Sequence, residues 1–201
     1  MFIIGVTGSL KTGKSTVAGM LARLGAKIID ADRLAHQEIL SKGQCFKTIV
    51  RAFGKNIIVK GEIDRRKLAQ IVFSDTKKLA KLENILHPVV IREIKKQIQA
   101  LRRKKSHQIV VLDVPLLFEA GLDKLVDLTI VVTASRKTQI QRAIKKLHLS
   151  KQEALRRIKA QMPLKEKLRW ADCVINNDGN LNKTRKKVTL LWQNIQSKKR
   201  K

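Results

Sequence analysis

The sequence predicts an α/β fold in which a parallel sheet lies between two layers of helices. Two observations carry this prediction. Short, nearly continuous apolar runs alternate with longer segments of helical periodicity, and a glycine-rich segment joins the first apolar run to the first amphipathic segment. The chain has 201 residues, which is enough for one such domain with a sizeable core and too few for two large independent domains.

The predicted strands are apolar runs that lack alternation with polar residues. Such runs are typical of strands that are buried on both faces of a parallel sheet, and the helices between them supply the crossover connections. The runs cover residues 3–6, 27–29, 109–112, 128–132 and 174–175.

A helical insertion is predicted between the second and third strands. Residues 34–105 are mostly helical in pattern, and apolar residues recur there at three- and four-residue spacing, which builds one apolar stripe along a helix. The stripe consists of Ile91, Ile94, Ile98 and Leu101.

Two further helical regions follow the later strands. Residues 136–168 form a strongly basic helical excursion, and residues 181–195 form the last predicted helix. That last helix carries Leu190, Leu191 and Ile195, and we expect it to pack against the sheet.

The chain is strongly basic. It contains 44 Lys and Arg residues against 16 Asp and Glu residues, which gives a formal net charge of +28. This charge favours polyanionic partners such as nucleotides, nucleic acid or anionic membrane surfaces, but a generally basic, solvated surface explains it equally well. Aromatic residues make up only 3%, tyrosine is absent, and no RNA- or DNA-binding motif is recognisable, so we expect no specific nucleic-acid partner.

The two cysteines, Cys45 and Cys173, are far apart and belong to no CxxC pattern. We therefore expect neither a disulfide framework nor a zinc site, and we expect a cytoplasmic location. The chain opens on a strand-like run without the features of a signal peptide. No apolar run approaches the ~20 residues that span a bilayer, so no membrane association is expected.

Residues 8–15 (GSLKTGKS) match the pattern GxxxxGK[ST] without a gap. A predicted strand precedes them and an apolar helix follows them, which is the strand–loop–helix order of a phosphate-binding P-loop. Gly8 and Gly13 let the backbone turn tightly, so that its N–H groups surround an anion at a helix N-terminus. Lys14 reaches the β- and γ-phosphates of a nucleotide, and the Ser15 hydroxyl is a Mg²⁺ ligand. The alternative is an incidental glycine-rich turn, which the flanking elements disfavour.

Asp30 and Asp32 follow the second predicted strand directly. Open α/β sheets bind ligands beyond the carboxyl ends of their strands. One of these carboxylates, Asp32 by preference, is therefore a candidate to accept the proton of an attacking hydroxyl. The alternative is that Asp32 only caps a helix over residues 33–40, and the two roles are compatible.

Two further candidates lie at the ends of predicted elements. Asp113 ends the third strand and resembles a Walker-B carboxylate that holds Mg²⁺ directly or through water, although a cap or turn role is the alternative. His87 precedes Pro88, which favours an extended backbone and a helix that starts at Val89. From the residues alone, His87 is interpreted as structural.

The basic excursion contains several arginines that could act on phosphate. In a kinase, such side chains clamp the charge of the transferring phosphoryl group from a lid. For any single one of them, a solvated basic face is the better interpretation. The residues are Arg136, Arg142, Arg156 and Arg157.

Taken together, the motifs resemble those of the dephospho-CoA kinases over residues 2–192, which is nearly the whole chain. Any one motif could be accidental, but the P-loop, the Asp-Ala-Asp motif and the Pro-Leu-Leu-Phe-Glu run are specific in combination. The motifs are residues 8–15, 30–32, 61–65 with Leu68 and Phe73, 87–88, 113–119, Gln139 with Arg142, Arg157 and Ile158 with Gln161, and 171–177.

The resemblance implies a P-loop NTPase three-layer sandwich with a parallel sheet, a helical substrate-binding insertion and a helical lid. It implies transfer of the ATP γ-phosphoryl group to the ribose 3′-hydroxyl of dephospho-CoA, the last step of coenzyme A synthesis, with Mg²⁺ as cofactor. The nucleotide-binding core would comprise residues 1–33, 106–135 and 169–201, the CoA-binding helical domain residues 34–105, and the lid residues 136–168.

The resemblance also implies roles for individual residues. Asp32 would be the general base, with Lys14 and Arg142 as the other catalytic residues. Asp32, together with Arg65 and His87, would contact the CoA substrate. Ser15 and Asp113 would hold the metal, and Asn177 would lie near the adenine of ATP. The ATP-binding loop would comprise Gly8, Lys11, Thr12, Gly13, Lys14, Ser15 and Thr16.

The sequence departs from the family pattern in two places. Lys11 and Thr12 stand where the family usually has Gly-Ser, and a lysine at position 11 is strained if that position requires a positive φ. Lys146 stands where the lid usually has a second arginine, and lysine lacks the bidentate geometry of a guanidinium. Both departures affect catalytic efficiency more than reaction type.

Two other functions stay open from the sequence alone. The chain could be another P-loop kinase that acts on a nucleoside or nucleotide, or a basic nucleic-acid-binding NTPase, which its net charge of +28 would favour. The expected partners are ATP and dephospho-CoA, and we expect a monomer or a weak homo-oligomer.

Overall fold

The structure, a computed structural model, describes residues 1–104 and 109–199. The chain divides into two compact units, one formed by Met1–Ile29 with Lys105–Lys201 and the other by Asp30–Lys104. The predicted boundary between residues 105 and 106 lies outside the described residues. The predicted domain limits and the separate lid therefore stay predictions.

The described residues form the following elements. The strands are β1 (Phe2–Thr7), β2 (Lys27–Asp30), β3 (Ile58–Val59), β4 (Glu62–Ile63), β5 (Ile109–Asp113), β6 (Leu128–Thr133) and β7 (Cys173–Asn176). The helices are α1 (Lys14–Arg23), α2 (Ala31–Ile39), α3 (Phe46–Phe53), α4 (Arg65–Phe73), α5 (Thr76–Arg103), α6 (Arg136–Leu147), α7 (Lys151–Lys159), α8 (Leu164–Arg169) and α9 (Leu181–Lys199).

The first unit is built on a five-stranded sheet with the order β2-β5-β1-β6-β7. Strand β1 pairs in parallel with β5 and β6, and β6 pairs in parallel with β7. These strands confirm all five strand predictions, each with one or two residues added. Because β1 lies in the middle, the loop that follows it starts at the centre of the carboxyl edge of the sheet.

Helices α1 and α9 pack together, and their apolar residues join one core with the sheet. Helix α9 contributes Val188, Trp192 and Ile195, which recur at three- and four-residue spacing. The prediction that the last helix packs on the sheet is confirmed, with Leu191 and Ile195 on its packed face, but Leu190 is 60% exposed and does not take part. Leu190 falls between the buried positions of the helix, while Leu191 is partly buried against the core.

The second unit contains helices α2 to α5 and its own apolar core. The predicted helical insertion is confirmed, but the pattern did not indicate the hairpin of β3 and β4 within it. These strands have two residues each, which is too short for a periodicity signal. Lys60 and Gly61 form the turn between them with φ values of 50° and 82°, as expected for a tight two-residue hairpin turn.

Helix α5 runs without a break from Thr76 to Arg103 and contains Pro88. The prediction that His87 is extended and that a helix starts at Val89 is therefore wrong. Pro88 removes only one N–H donor from a helix of 28 residues. The burial of Ile94 and Ile98 farther along the same helix outweighs that loss.

The predicted basic excursion forms three helices, α6, α7 and α8. Ser135 caps α6 by accepting a hydrogen bond from the backbone N–H of Thr138 at 3.2 Å. Ser150 and Glu153 form a reciprocal capping box at the start of α7. None of the helices in the part of the chain that the structure describes has the length and apolar character needed to cross a membrane.

Candidate functional site

The P-loop connects the end of β1 to the start of α1, as the sequence predicts. Gly8 and Gly13 are both required by the local geometry. A Cβ on Gly8 would overlap the carbonyl oxygen of Val132 and lie 2.6 Å from Thr12 Oγ1. Gly13 is the N-cap of α1 with a φ of 102°, a conformation that side-chain-bearing residues rarely adopt. The loop therefore turns tightly into the N-terminus of α1, where the N–H groups of loop and helix can bind an anion.

The P-loop side chains differ in exposure. Lys14 is half-buried at the first position of α1, while Ser15 and Thr16 are exposed in its first turn. Thr12 is fully buried, and its hydroxyl donates to the carbonyl oxygen of Ser9 at 3.0 Å. Thr12 therefore fixes the loop internally, while Lys14, Ser15 and Thr16 remain accessible to a ligand.

Lys11 has a φ of 54° and is thus in the left-handed region. Strain at position 11 is expected if that position requires a positive φ, and this condition is met. Glycine adopts positive and negative φ about equally readily, whereas a residue with a Cβ is less stable in the left-handed region by about 1–2 kcal/mol.

Arg142, on α6, binds the outer side of the P-loop. Its NH1 donates to the carbonyl oxygens of Lys11 and Thr12 at 3.4 and 3.3 Å, and its NH2 donates to the carbonyl oxygen of Asn177 at 2.8 Å. A guanidinium presents several donors in a fixed plane, so one side chain can join two loops. Arg142 therefore ties α6 to the P-loop and to the loop after β7.

Asn177 follows β7 and is also in contact with the P-loop. Its side-chain Nδ2 donates to the carbonyl oxygen of Thr12 at 2.8 Å, and its backbone N–H donates to Thr133 at the end of β6 at 2.8 Å. Thr184, on α9, donates its hydroxyl to Asn177 Oδ1 at 3.0 Å. Asn177 and Thr184 are 4% and 2% exposed, so these hydrogen bonds are shielded from water.

Asp113 lies at the carboxyl edge of the sheet beside the P-loop strand. It is in register with Val6 of β1 and is 4% exposed. The next residue, Val114, donates its N–H to the carbonyl oxygen of Val6 at 3.0 Å. The hydroxyl of Thr7 donates to the carbonyl oxygen of Pro115 at 3.0 Å. The segment after β5 is therefore fixed to the residues that lead into the P-loop.

The N-cap of α2 is Asp30 and not Asp32, which corrects the alternative drawn from the sequence. Asp30 Oδ1 accepts a hydrogen bond from the backbone N–H of Arg33 at 3.0 Å. The helix begins two residues earlier than expected, because β2 ends at Asp30 and Ala31 is already helical. Asp32 is an exposed residue in the first turn of α2, so its carboxylate is not needed as the cap.

The two other proposed substrate contacts belong to the unit of Asp30–Lys104. Arg65 is the first residue of α4, directly after the N-cap Asp64, and is exposed. His87 is half-buried within α5. Asp32 belongs to the same unit, whereas the P-loop, Arg142, Asn177 and Asp113 belong to the unit of the sheet.

A buried lysine beside the segment after β5 was missed by sequence reasoning. Lys167, on α8, is 0% exposed, and its Nζ donates to the Pro115 carbonyl oxygen at 2.6 Å and pairs with Glu119 at 2.9 Å. Burial lowers the pKa of Lys167, the hydrogen bond and charge of Glu119 oppose that shift, and the charge of Lys14 adds to it. Because lysine is almost never fully buried unless it is paired, a lysine in a basic helical segment is predicted from sequence to be exposed, and the burial of Lys167 was missed.

The oxygen donors near the P-loop suit a hard divalent cation. Asp113 offers a carboxylate and Ser15 a hydroxyl, and Mg²⁺ in phosphate-binding sites takes one or two such ligands with phosphates and water. Over residues 1–104 and 109–199, no group of three or more His, Cys, Asp or Glu residues could hold a metal ion. The hydroxyl of Ser15 and the carboxylate of Asp113 fit Mg²⁺ that is bound together with a nucleotide, whose phosphate oxygens and water would complete its ligands.

Comparison with known proteins gives a consistent result over nearly the whole chain. A family model described as dephospho-CoA kinase matches residues 2–183. The chain is 45% identical over 193 residues to a dephospho-CoA kinase from Carboxydothermus hydrogenoformans, a match that covers 95% of this chain and 93% of the relative.

Solved structures give the same result at the level of the fold. A crystal structure of a protein from Thermus thermophilus is 34% identical, with a TM-score of 0.76 over 96% of this chain and 97% of the other. A dephospho-CoA kinase from Campylobacter jejuni is 31% identical, with a TM-score of 0.68 over 96% of each chain. The parallel α/β fold with a P-loop, predicted from the sequence, is confirmed.

Proposed function

Because the chain belongs to the dephospho-CoA kinase family, we propose that it transfers the γ-phosphoryl group of ATP to the ribose 3′-hydroxyl of dephospho-CoA. The observation that carries the proposal is the match over nearly the whole chain together with an intact P-loop at the N-terminus of α1. The other functions considered from the sequence have no comparable support.

Phosphoryl transfer needs positioning and charge neutralisation more than covalent chemistry from the protein. Lys14 neutralises the β- and γ-phosphates, and the backbone N–H groups of residues 11–16 surround the phosphate chain. Arg142 is proposed as a catalytic residue of the lid that offsets the charge of the transferring phosphoryl group. Its hydrogen bonds to the carbonyl oxygens of Lys11 and Thr12 support a place beside the P-loop.

Mg²⁺ is the proposed metal cofactor. Ser15 and Asp113 would hold it, and their hard oxygen donors fit its preference. When bound, Mg²⁺ supplies positive charge that neutralises the phosphate oxygens. Asp113 is held in place independently of any metal, because β5 fixes its backbone beside Val6.

The acceptor side of the reaction is assigned to residues of the second unit. Asp32 would orient the 3′-hydroxyl and accept its proton, which suits an exposed carboxylate that does not cap its helix. Arg65 and His87 would contact the CoA substrate. Arg65 is supported by its exposure at the start of α4, where its guanidinium can pair with a phosphate.

The remaining partner and location assignments are also proposals. ATP and dephospho-CoA are the proposed substrates, and the protein is proposed to act in the cytoplasm as a monomer or weak homo-oligomer. Cys45 and Cys173 are both free thiols, which is usual for a reducing compartment.

Product identification tests the proposed function directly. The protein is incubated with ATP, Mg²⁺ and dephospho-CoA, and the products are analysed by mass spectrometry and by NMR of the phosphorylated ribose. We expect ADP and a product with one added phosphoryl group at the 3′ position, and no product with the Lys14→Met variant. ADP release that depends on a nucleoside monophosphate or pantothenate, and not on dephospho-CoA, would instead assign a different small-molecule kinase.

A further inference from the structure

The carbonyl oxygens on the outer side of the P-loop need hydrogen-bond donors. A loop that turns its N–H groups inward around an anion directs carbonyl groups away from that anion, and buried carbonyls without donors cost free energy. In this chain the Thr12 carbonyl oxygen receives its shortest hydrogen bond, 2.8 Å, from the side chain of Asn177. Arg142 adds longer bonds to the carbonyls of Lys11 and Thr12.

The Thr12 carbonyl determines which way the Asn177 amide faces, and the Thr184 hydroxyl stabilises that orientation from the other end of the amide. The amide has one end that donates and one that accepts, and the Thr12 carbonyl can only accept. Nδ2 must therefore face Thr12, and Oδ1 faces the Thr184 hydroxyl, which donates to it at 3.0 Å. Thr184 lies one turn into α9, so the hydroxyl is held by a regular element whose buried face packs on the sheet.

Gly13 and Asn177 fit each other closely. A Cβ on Gly13 would overlap Asn177 Nδ2, so the amide occupies the space that a side chain at position 13 would need. All members of the chain of contacts are buried, with Thr12, Thr184 and Asn177 exposed by 0%, 2% and 4%. Side chains packed this tightly have one arrangement, and the loop they contact is restricted accordingly.

We propose that Thr184 and Asn177 are positioning residues that hold the P-loop in its anion-binding shape before a nucleotide arrives. The inference rests on the proposed function, because it assumes that ATP binds at this loop. Thr184 acts through the Asn177 amide, and Asn177 acts through the Thr12 carbonyl. Neither side chain needs to touch the nucleotide for this role.

This role has a consequence that separates it from direct contact with adenine. A loop that is held in shape in advance loses less conformational freedom when it binds phosphate. Weakening the support should therefore reduce affinity for any polyphosphate, including inorganic tripolyphosphate, which has no base. An Asn177 that only contacted adenine would influence ATP and leave tripolyphosphate unchanged.

The test replaces Thr184 by valine and by serine. Thr184→Val removes the hydroxyl at nearly constant volume and leaves Asn177 Oδ1 without its donor, whereas Thr184→Ser keeps the donor. We expect Thr184→Val to weaken binding of both ATP and tripolyphosphate about five- to fiftyfold by calorimetric titration. Thr184→Ser should stay within about threefold of the wild type, since its hydroxyl restores most of the bond.

Steady-state kinetics supply a readout that a purely structural role would not move. In Thr184→Val the KM for ATP should rise and the KM for dephospho-CoA should stay near the wild-type value. Thr189→Val is the matched control, because it removes a threonine hydroxyl from the same helix at a half-buried position outside the Asn177 contacts. It should bind both ligands like the wild type.

Several outcomes would overturn the proposal. The first is a folded Thr184→Val variant that binds tripolyphosphate with wild-type affinity. The second is a loss of affinity for ATP alone, which would indicate that Asn177 contacts the adenine. If Thr184→Val does not fold, Asn177→Asp takes its place, because it puts an oxygen against the Thr12 carbonyl at the same volume and should weaken both ligands. If neither variant folds, the hydrogen bonds of Thr184 and Asn177 are needed for folding of the protein, and the positioning role is overturned.

The wild-type arm separates this inference from the proposed function. A wild type that binds ATP and phosphorylates dephospho-CoA, combined with an unaffected Thr184→Val, overturns only the positioning role. A wild type that binds neither ATP nor tripolyphosphate overturns both.

Discussion

The backbone of Lys11 has a φ of 54°, which lies in the left-handed region that residues with a Cβ rarely adopt. Its carbonyl oxygen accepts a hydrogen bond from Arg142, so the peptide is held in that conformation from outside. A binding loop can retain such strain when its surroundings over-determine its shape.

Replacing Lys11 by glycine should therefore stabilise the protein. Relief of left-handed strain gains about 1–2 kcal/mol and the added freedom of the unfolded chain costs about 0.5–1 kcal/mol, so we expect a net gain of about 0.5–1 kcal/mol in urea unfolding. Lys11→Ala is the control that removes the charged group and keeps the Cβ. A Gly variant no more stable than the Ala variant would contradict the strain argument.

Asp30 and Asp32 show how two neighbouring carboxylates take different roles. Asp30 caps α2, whereas Asp32 is exposed in the following turn. The sequence motif contains both residues and does not show which of them caps the helix. The distinction comes from where β2 ends and α2 begins.

Asp32→Asn should keep ATP affinity and reduce turnover by about 10²–10⁴-fold, because an amide cannot accept the hydroxyl proton. Steady-state kinetics with dephospho-CoA and an ATP titration measure the two effects separately. Asp30→Asn is the matched control, because it removes a carboxylate two residues from Asp32. The cap should survive, since asparagine caps a helix about as well as aspartate. Near-wild-type turnover in Asp32→Asn would remove Asp32 from the proposed role.

At the scale of elements, α8 is joined to the segment after β5 by Lys167. Its ammonium group donates to the Pro115 carbonyl oxygen and to Glu119, and Glu119 also accepts from the backbone N–H of Met162 at 3.1 Å. The Pro115 carbonyl oxygen receives the Thr7 hydroxyl as well. One carbonyl thus links β1, the segment after β5 and α8.

Removing the Lys167 charge should be costly. Lys167→Met leaves the Glu119 carboxylate without its cation, and loss of one partner of a buried pair costs about 3–5 kcal/mol. Because Glu119 is 21% exposed and partly solvated, we expect a smaller loss of about 2–3 kcal/mol in urea unfolding. The exposed Lys165→Met on the same helix should change stability by less than about 0.5 kcal/mol. Equal stabilities of the two variants would refute the buried-pair argument.

Helix α5 shows why local rules can fail inside a long element. The restriction of a residue before proline is a preference of the dipeptide, and it predicts a break at His87. Helix α5 continues for fifteen residues beyond Pro88 to Arg103 and buries Val90, Ile94 and Ile98. The packing of that whole face decides the conformation at one position.

At the scale of the whole molecule, the net charge of +28 is the least explained feature of the sequence. Charge of this size acts on association through its long-range field and does not define a site. Membership in a small-molecule kinase family does not require this charge, so we expect it to cause only nonspecific binding of polyanions.

A random single-stranded oligonucleotide should therefore bind weakly at low salt and dissociate as salt increases. Each phosphate contact releases a counterion, so log K should fall linearly with log salt concentration, with a slope of about −0.7 per contact. Filter binding over a salt series measures this slope. Binding that persists at 0.2 M salt or prefers one sequence would indicate a nucleic-acid site after all.

The sequence by itself determined the local chemistry of this protein: the five strands of the parallel sheet, the P-loop between β1 and α1, and the motifs of the family. These are readable because periodicity and a short motif act over a few residues. The insertion was readable as helical, but its two-residue strands were not.

Only the tertiary structure decided what surrounds the P-loop. The strand order places β5 and β6 on either side of β1, and it brings Asn177 to Thr12 across 165 residues. Lys167 reaches Pro115 across 52 residues. Such contacts leave no periodic trace in the sequence, because they depend on how parallel strands are arranged by crossovers and not on neighbours along the chain.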